Sequence, residues 1–172
     1  LAVLIADPDS TSARLLSRFL SKWGYAPVIC PDQSSARDVI SSEHPPRLVL
    51  LDESLPHLGQ IDICGEIRKK SGETFIYTIV LAEQWNSARI SAALDAGACD
   101  VIMKPCDANL LKARLSVGTR VIRDTLTIEA MNLSLTRYAG QLESFVQEKS
   151  SQLVQADKMA TLGVMAAGIA HE

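Results

Sequence analysis

Four residues of this chain stand where they could do chemistry together. Asp7 and Asp9 follow the apolar run Leu1–Ala6, Asp52 ends the apolar run Leu48–Asp52, and Lys104 follows Val101–Met103. Three carboxylates brought to one place make the oxygen-rich nest that a hard divalent cation such as Mg2+ takes. A carboxylate beside Mg2+ and a lysine can attack a phosphoryl group, because both cations neutralise charge on the transferring oxygens. The competing reading is plainer: loop acids at the ends of strands, with Lys104 paired to one of them. Spacing alone leaves both readings open.

For these residues to meet, the runs that carry them must lie side by side. The first 105 residues alternate short apolar runs with helical patterns. Strands are expected at Leu1–Ala6, Ala26–Cys30, Leu48–Asp52, Phe75–Leu81 and Val101–Met103. Helices are expected at Ser10–Trp23, Ser34–Ile40, Ile61–Lys70, Ser87–Ala96 and from Asp107 onward. Five strand–helix pairs in this order imply a parallel sheet with helices on both faces and right-handed crossovers. In such a sheet the working site lies beyond the carboxyl ends of the strands, which is where Asp7, Asp52 and Lys104 fall.

The 172 residues suit one compact domain plus an extension, and the 47% hydrophobic share suits a packed core. With 20 acids against 17 bases and a net charge of −3, general nucleic-acid binding is not expected. No apolar run approaches the roughly 18–20 residues that span a bilayer, so a membrane partner is not expected and a cytoplasmic location is. The four cysteines form no CxxC pair and read as buried small hydrophobes. All seven prolines lie in the first 105 residues. A domain boundary is therefore expected near Ser116–Gly118, where a compact domain gives way to a helical rod.

The motifs LIADPDS (4–10), LVLLDESLP (48–56) and DVIMKP (100–105) carry a resemblance. Residues 1–117 resemble a receiver domain of two-component signalling, with an aspartate separated by three residues from a proline (Asp52 and Pro56) and a lysine–proline after the fifth strand. The resemblance implies a flavodoxin-like, doubly wound five-stranded parallel sheet of order 2-1-3-4-5. It implies Asp52 as phosphoacceptor, Lys104 as the contact to the phosphoryl oxygens, and Mg2+ among Asp7, Asp9, Asp52 and Ser54. Three positions depart from the family pattern. Pro8 stands where a second metal-binding acid is usual, Ala82 where a hydroxyl ends strand four, and Val101 where an aromatic switch residue sits. The response to phosphorylation is accordingly expected to be weak or to take another route.

The tail has a resemblance of its own. Residues 156–172, ADKMATLGVMAAGIAHE, resemble the start of the dimerisation and phosphoacceptor helix of a sensor histidine kinase. That implies His171 as a phosphoacceptor and Glu172 as the acid assisting proton removal. It also implies a fragment: ATP would enter only through a catalytic domain beyond Glu172. Between the two resemblances, residues 118–155 read as a coiled-coil linker. Ile128, Leu135 and Leu142 occupy one heptad core position and Met131, Tyr138 and Phe145 the other, before Lys149 and Gln152 break the pattern. Gly118 and Gly140 are the expected bends. A continuous helix over 107–171 would run roughly 95 Å, too long to bury its stripe on its own domain. A parallel homodimer is the expected cover.

The expected function is phosphorelay signalling. A receiver accepts a phosphoryl group on Asp52, exchanges it with a partner histidine kinase or response regulator, and regulates an attached kinase through the helix. The alternative is a degenerate receiver that takes no phosphate and serves as a dimerisation and docking module.

Overall fold

The computed structural model describes residues 1–55, 63–67, 74–84 and 86–169, with side chains as far as residue 160. Five parallel strands, β1 (Ala2–Ala6), β2 (Ala26–Cys30), β3 (Leu48–Asp52), β4 (Tyr77–Ala82) and β5 (Asp100–Met103), form one sheet in the order β2-β1-β3-β4-β5. Between and after them lie α1 (Ser10–Lys22), α2 (Gln33–Ile40), α3 (Ser87–Ala96) and the long α4 (Ala108–Ile169). Residues 63–67 are helical, and the remainder of the helix expected at 61–70 lies outside the described residues. This is the flavodoxin-like fold that the sequence implies, followed by a long helix.

Side-chain parity along the strands builds two cores, one on each face of the sheet. Val3, Ile5, Leu48, Leu50, Ile79 and Leu81 pack with α1 and α4 through Leu16, Leu20, Leu111 and Leu115. Leu4, Ala6, Val49, Leu51 and Val80 face the other way, against Ile40, Ile63 and Ile67. Strands β1, β3 and β4 are apolar at both parities because both faces are covered. The outer strand β2 shows its position in its chemistry. Pro27 has no N–H to give to a ladder and is tolerated there, and Val28 and Ile29 stay partly exposed. The strand–helix junctions are set by Asp9, the N-cap of α1, by Asn86, the N-cap of α3, and by Gly97, whose φ of 117° closes α3 in the left-handed region.

Neither glycine expected to bend the rod interrupts it: Gly118 and Gly140 both lie within the continuous α4. Gly118 instead meets a contact requirement. A Cβ built on it would lie 2.7 Å from Tyr77 Cδ1 and 3.2 Å from Leu48 Cδ1, so the helix backbone can press on the sheet only without a side chain there. The contacts continue past the expected boundary at 117. Tyr25 Oη lies 3.1 Å from Thr119 Oγ1 and Ile122 is buried, so the first compact unit runs from Leu1 to Thr125. Gly118→Ala should therefore destabilise the protein by about 1 kcal/mol. A gain of roughly 1 kcal/mol in helix propensity is outweighed by about 1–3 kcal/mol of overpacking against Tyr77. Gly140→Ala, with nothing within 4 Å, should have the opposite sign. Urea midpoints of the two variants check this pair.

The second unit comprises Leu126–Glu172. Among its described side chains every residue from Met131 to Ala160 is exposed, including the heptad positions Leu135, Tyr138 and Leu142 at 64%, 67% and 63%. No helix among the described residues is long and apolar enough to cross a membrane.

Candidate functional site

The carboxyl ends of β1, β3 and β5 bring Asp7, Asp52 and Lys104 together. Asp7 and Asp52 are buried. Asp7 Oδ1 accepts the N–H of Asp9 at 2.8 Å, and Oδ2 accepts the Ser12 hydroxyl at 2.6 Å and Lys104 Nζ at 3.2 Å. Asp52 Oδ1 accepts both the N–H and the hydroxyl of Ser54, and Oδ2 forms an ion pair with Lys104 Nζ. The backbone N–H of Lys104 donates to the Ala82 carbonyl at 2.7 Å, which sets the end of β5 against the end of β4. A cleft of about 540 Å3 opens over the site, lined in part by Asp9, Ser12, Ser54, Glu83 and Lys104.

One ammonium thus bridges two buried carboxylates. Burial pulls the Lys104 pKa down, but the hydrogen bond and charge of Asp52, followed by those of Asp7, together outweigh it, and the net shift is upward. Lys104 is therefore charged throughout the neutral range. Cys106, beside the same cleft, is shifted upward by burial and so is a protonated thiol at neutral pH. Burial also pushes the Cys64 thiol up to about 12. Cys30 and Cys64 are the buried hydrophobes expected, whereas Cys106 is half-buried and Cys99 is exposed.

Asp9 does not join the other two acids as expected. Its carboxylate accepts the Thr11 N–H at 2.9 Å as the N-cap of α1, and it is exposed. Among the described residues no group of three or more metal-capable side chains gathers at one place. Two carboxylates, not three, face the lysine, and Ser54 contributes through its bonds to Asp52. His171 and Glu172 lie outside the described residues.

Sequence reading missed two features of the site. Ser12 lies in the first turn of α1, where its hydroxyl reaches back to Asp7; only the five-residue spacing hints at it. Glu53, directly after Asp52, has a nearly buried side chain. It pairs with Arg89 of α3 at 2.6 Å and accepts the N–H of Glu83 at 2.8 Å. No local pattern marks that pairing, since its partners come from beyond β4.

Comparison with known proteins agrees with this geometry. The model of the response regulator receiver domain matches residues 3–116. "Probable transcriptional regulator ycf27" of Galdieria sulphuraria is 37% identical over 113 residues, which is 66% of this chain and 43% of that protein. "Response regulator MprA" of Mycobacterium bovis is 33% identical over 129 residues, 75% of this chain and 55% of that protein. The chain spans about half the length of the curated relatives it matches. Among solved structures, the signal receiver domain of a signal transduction histidine kinase from Syntrophus aciditrophicus has the same fold. Its TM-score is 0.63 at 22% identity, over 70% of this chain and 91% of that one. With the sheet order, the acid–lysine site and the matched region coinciding, the chain belongs to the response regulator receiver domain family of two-component signalling.

Proposed function

We propose that Asp52 is the phosphoacceptor of this receiver, and that its modification regulates a histidine kinase element carried on α4. The observation that supports the reading best is the buried Asp52 carboxylate, ion-paired with Lys104, which together with Ser54 lines an open cleft. In the transfer, an Asp52 oxygen attacks the phosphorus of a phosphohistidine on a partner kinase. The new O–P bond forms as the P–N bond breaks, and the imidazole keeps the electron pair. Lys104 changes partners in this step: its N–H groups turn from the two carboxylates to the developing charge on the phosphoryl oxygens. Ser54 holds the other Asp52 oxygen and so orients the attacking one.

Asp7 and Asp52 suit a Mg2+ ion, because two buried carboxylates share one ammonium and leave a negative charge uncompensated among hard oxygen donors. Bound there, the ion would draw charge from the phosphoryl oxygens. Asp7 is oriented for that role by Ser12 and by the Asp9 N–H.

The kinase part of the reading rests on residues 156–172, with His171 as phosphoacceptor and Glu172 as its assisting acid. Residues 126–155, the part of the expected 118–155 linker that lies in the second unit, join the two parts as a parallel dimeric coiled coil, supported by the exposed heptad stripe. The partners are then a second copy of the chain and a kinase or response regulator that exchanges phosphoryl groups, in the cytoplasm. A second reading has support in Ala82 and Val101: a receiver without hydroxyl or ring at those places could dock and dimerise without taking phosphate. Incubation with acetyl phosphate and Mg2+ separates the two. The expected result is acid-labile phosphate on the wild type and none on Asp52→Asn; an unlabelled wild type would leave the docking reading.

A further inference from the structure

The cleft that Ser54 and Lys104 line has more room and more apolar wall than a phosphoryl group needs. Its volume of about 540 Å3 falls within the roughly 300–1,000 Å3 of small-molecule sites. The same cleft is lined by Leu15, Leu16 and Phe19 of α1, by Pro105 and Cys106 after β5, and by Leu111 of α4. Leu16 and Leu111 are buried, so only a group that enters the cleft can touch them, while Leu15 is 52% exposed. The Phe19 ring is held in place by stacking on Trp23, with centroids 5.7 Å apart and planes 10° from parallel. Cys106 is half-buried, and burial keeps its thiol protonated, so it adds a small neutral surface.

The polar side chains of this cleft are already engaged within the chain. The Ser12 hydroxyl donates to Asp7 and the Ser54 hydroxyl to Asp52, while Lys104 Nζ pairs with both acids. The Asp9 carboxylate caps α1 through the Thr11 N–H. Lys104 can turn to an arriving phosphoryl group, but the rest of a phosphodonor meets chiefly apolar surface. Removing an apolar group from water against that wall is favourable. Asp9 and Glu83 are exposed acids lining the same cleft, so a donor with a second negative charge is repelled.

We propose that this apolar wall is a leaving-group subsite, which selects small acyl phosphates with an apolar, uncharged acyl group as phosphodonors to Asp52. This rests on Asp52 being the acceptor. An Asp52 oxygen attacks the phosphorus, the P–O bond to the acyl group breaks, and the carboxylate leaves with the electron pair. Nucleophile and leaving group are both carboxylates, so the step needs no proton transfer. The hydrocarbon body of the acyl group rests against Leu15, Phe19 and Leu111 while the phosphoryl group faces Lys104. Binding energy from a part of the donor that does not react thus holds the reacting phosphorus in place.

The test compares benzoyl phosphate with acetyl phosphate as donors to the full chain in Mg2+, each corrected for its own hydrolysis in the same buffer. Benzoyl phosphate should label the wild type about 10-fold faster at equal concentration, the lower end of what one apolar group is worth in a pocket. Phe19→Ala, which removes wall, and Cys106→Phe, which fills the cleft, should both bring the ratio of the two rates close to one. Leu15→Asn, at a half-exposed position, serves if either does not fold. The ratio is the readout because a merely structural loss slows both donors alike. A binding measurement accompanies it: unreactive benzoylphosphonate should shift the amide resonances of Leu15, Phe19 and Cys106, and acetylphosphonate should not. Equal rates for the two donors in the wild type, or a ratio that the variants leave intact, would overturn the subsite while leaving Asp52 as acceptor. Equal rates with variants that slow only transfer from a phosphohistidine protein would assign the wall to a protein partner and overturn it too. Absence of labelling by either donor would overturn the reading of Asp52 and the subsite with it.

Discussion

Lys104→Met should lower the unfolding free energy by about 3–5 kcal/mol in the presence of a chelator, the range for removing one partner of a buried ion pair. Asp7 and Asp52 are both fully buried, and Lys104 Nζ lies against an oxygen of each. Methionine fills the volume of the stem but leaves two carboxylates in the interior with no cation. In an Asp52→Asn background one of those charges is gone, and the same Lys104→Met change should cost much less; the difference is the coupling between the two residues. Millimolar Mg2+ should return part of the loss by binding the folded state alone. The pH dependence has a definite sign. The folded pKa of Lys104 lies above its ordinary 10.5, with the opposing effect of burial outweighed by Asp52 and Asp7. Its contribution is therefore complete below 10.5 and is lost as the pH rises through the higher folded value. Wild type and Lys104→Met should accordingly converge in strongly alkaline solution, and urea titrations at several pH values measure this. Equal stability of the two proteins at neutral pH would show that the lysine does not compensate the acids.

The second large effect concerns the rod. The full chain should form a parallel dimer, and Leu135→Lys with Leu142→Lys should convert it to monomers at tens of micromolar. Six consecutive heptad core positions from Ile128 to Phe145 are apolar, and all six are more than half exposed in the single chain. Among the described residues of the second unit, none buries them. A dimer seam removes this surface from water, and each lysine placed in it would be an ammonium with no partner, on two chains at once. Beyond Phe145 the seam changes character: Lys149 Nζ lies 5.5 Å from the Phe145 ring centroid and donates to Gln152 Oε1, so those two core positions carry polar groups. The substitutions at 135 and 142 therefore fall in the most apolar part. Light scattering distinguishes the outcomes, and a monomeric wild type would remove the coiled coil from the proposed function.

Asp7, Asp52 and Lys104 were legible in the sequence for a simple reason. In a parallel sheet every strand points the same way, so the first polar residue after each apolar run arrives at the same edge. The two cores were legible likewise, because alternate residues of β1, β3 and β4 must face opposite layers of helix. What one chain position does once it reaches that edge was a different matter. Asp9 stands two residues from Asp7 and is the same amino acid, yet the start of α1 takes its carboxylate as a cap. Ser12 enters the site because the first turn of α1 comes within hydrogen-bond reach of Asp7 Oδ2. Glu53 meets Arg89 and the Glu83 N–H only because β3 and β4 are neighbours in register. Gly118 looks in the sequence like a weak point in a helix, but in the fold it is the place where that helix comes within van der Waals range of Tyr77. Periodicity and run length determine which residues form elements and which ends of those elements coincide, since these depend on local backbone geometry and burial. The direction of a side chain and the identity of its partner depend on how separate elements close on one another, and only the tertiary structure decides that.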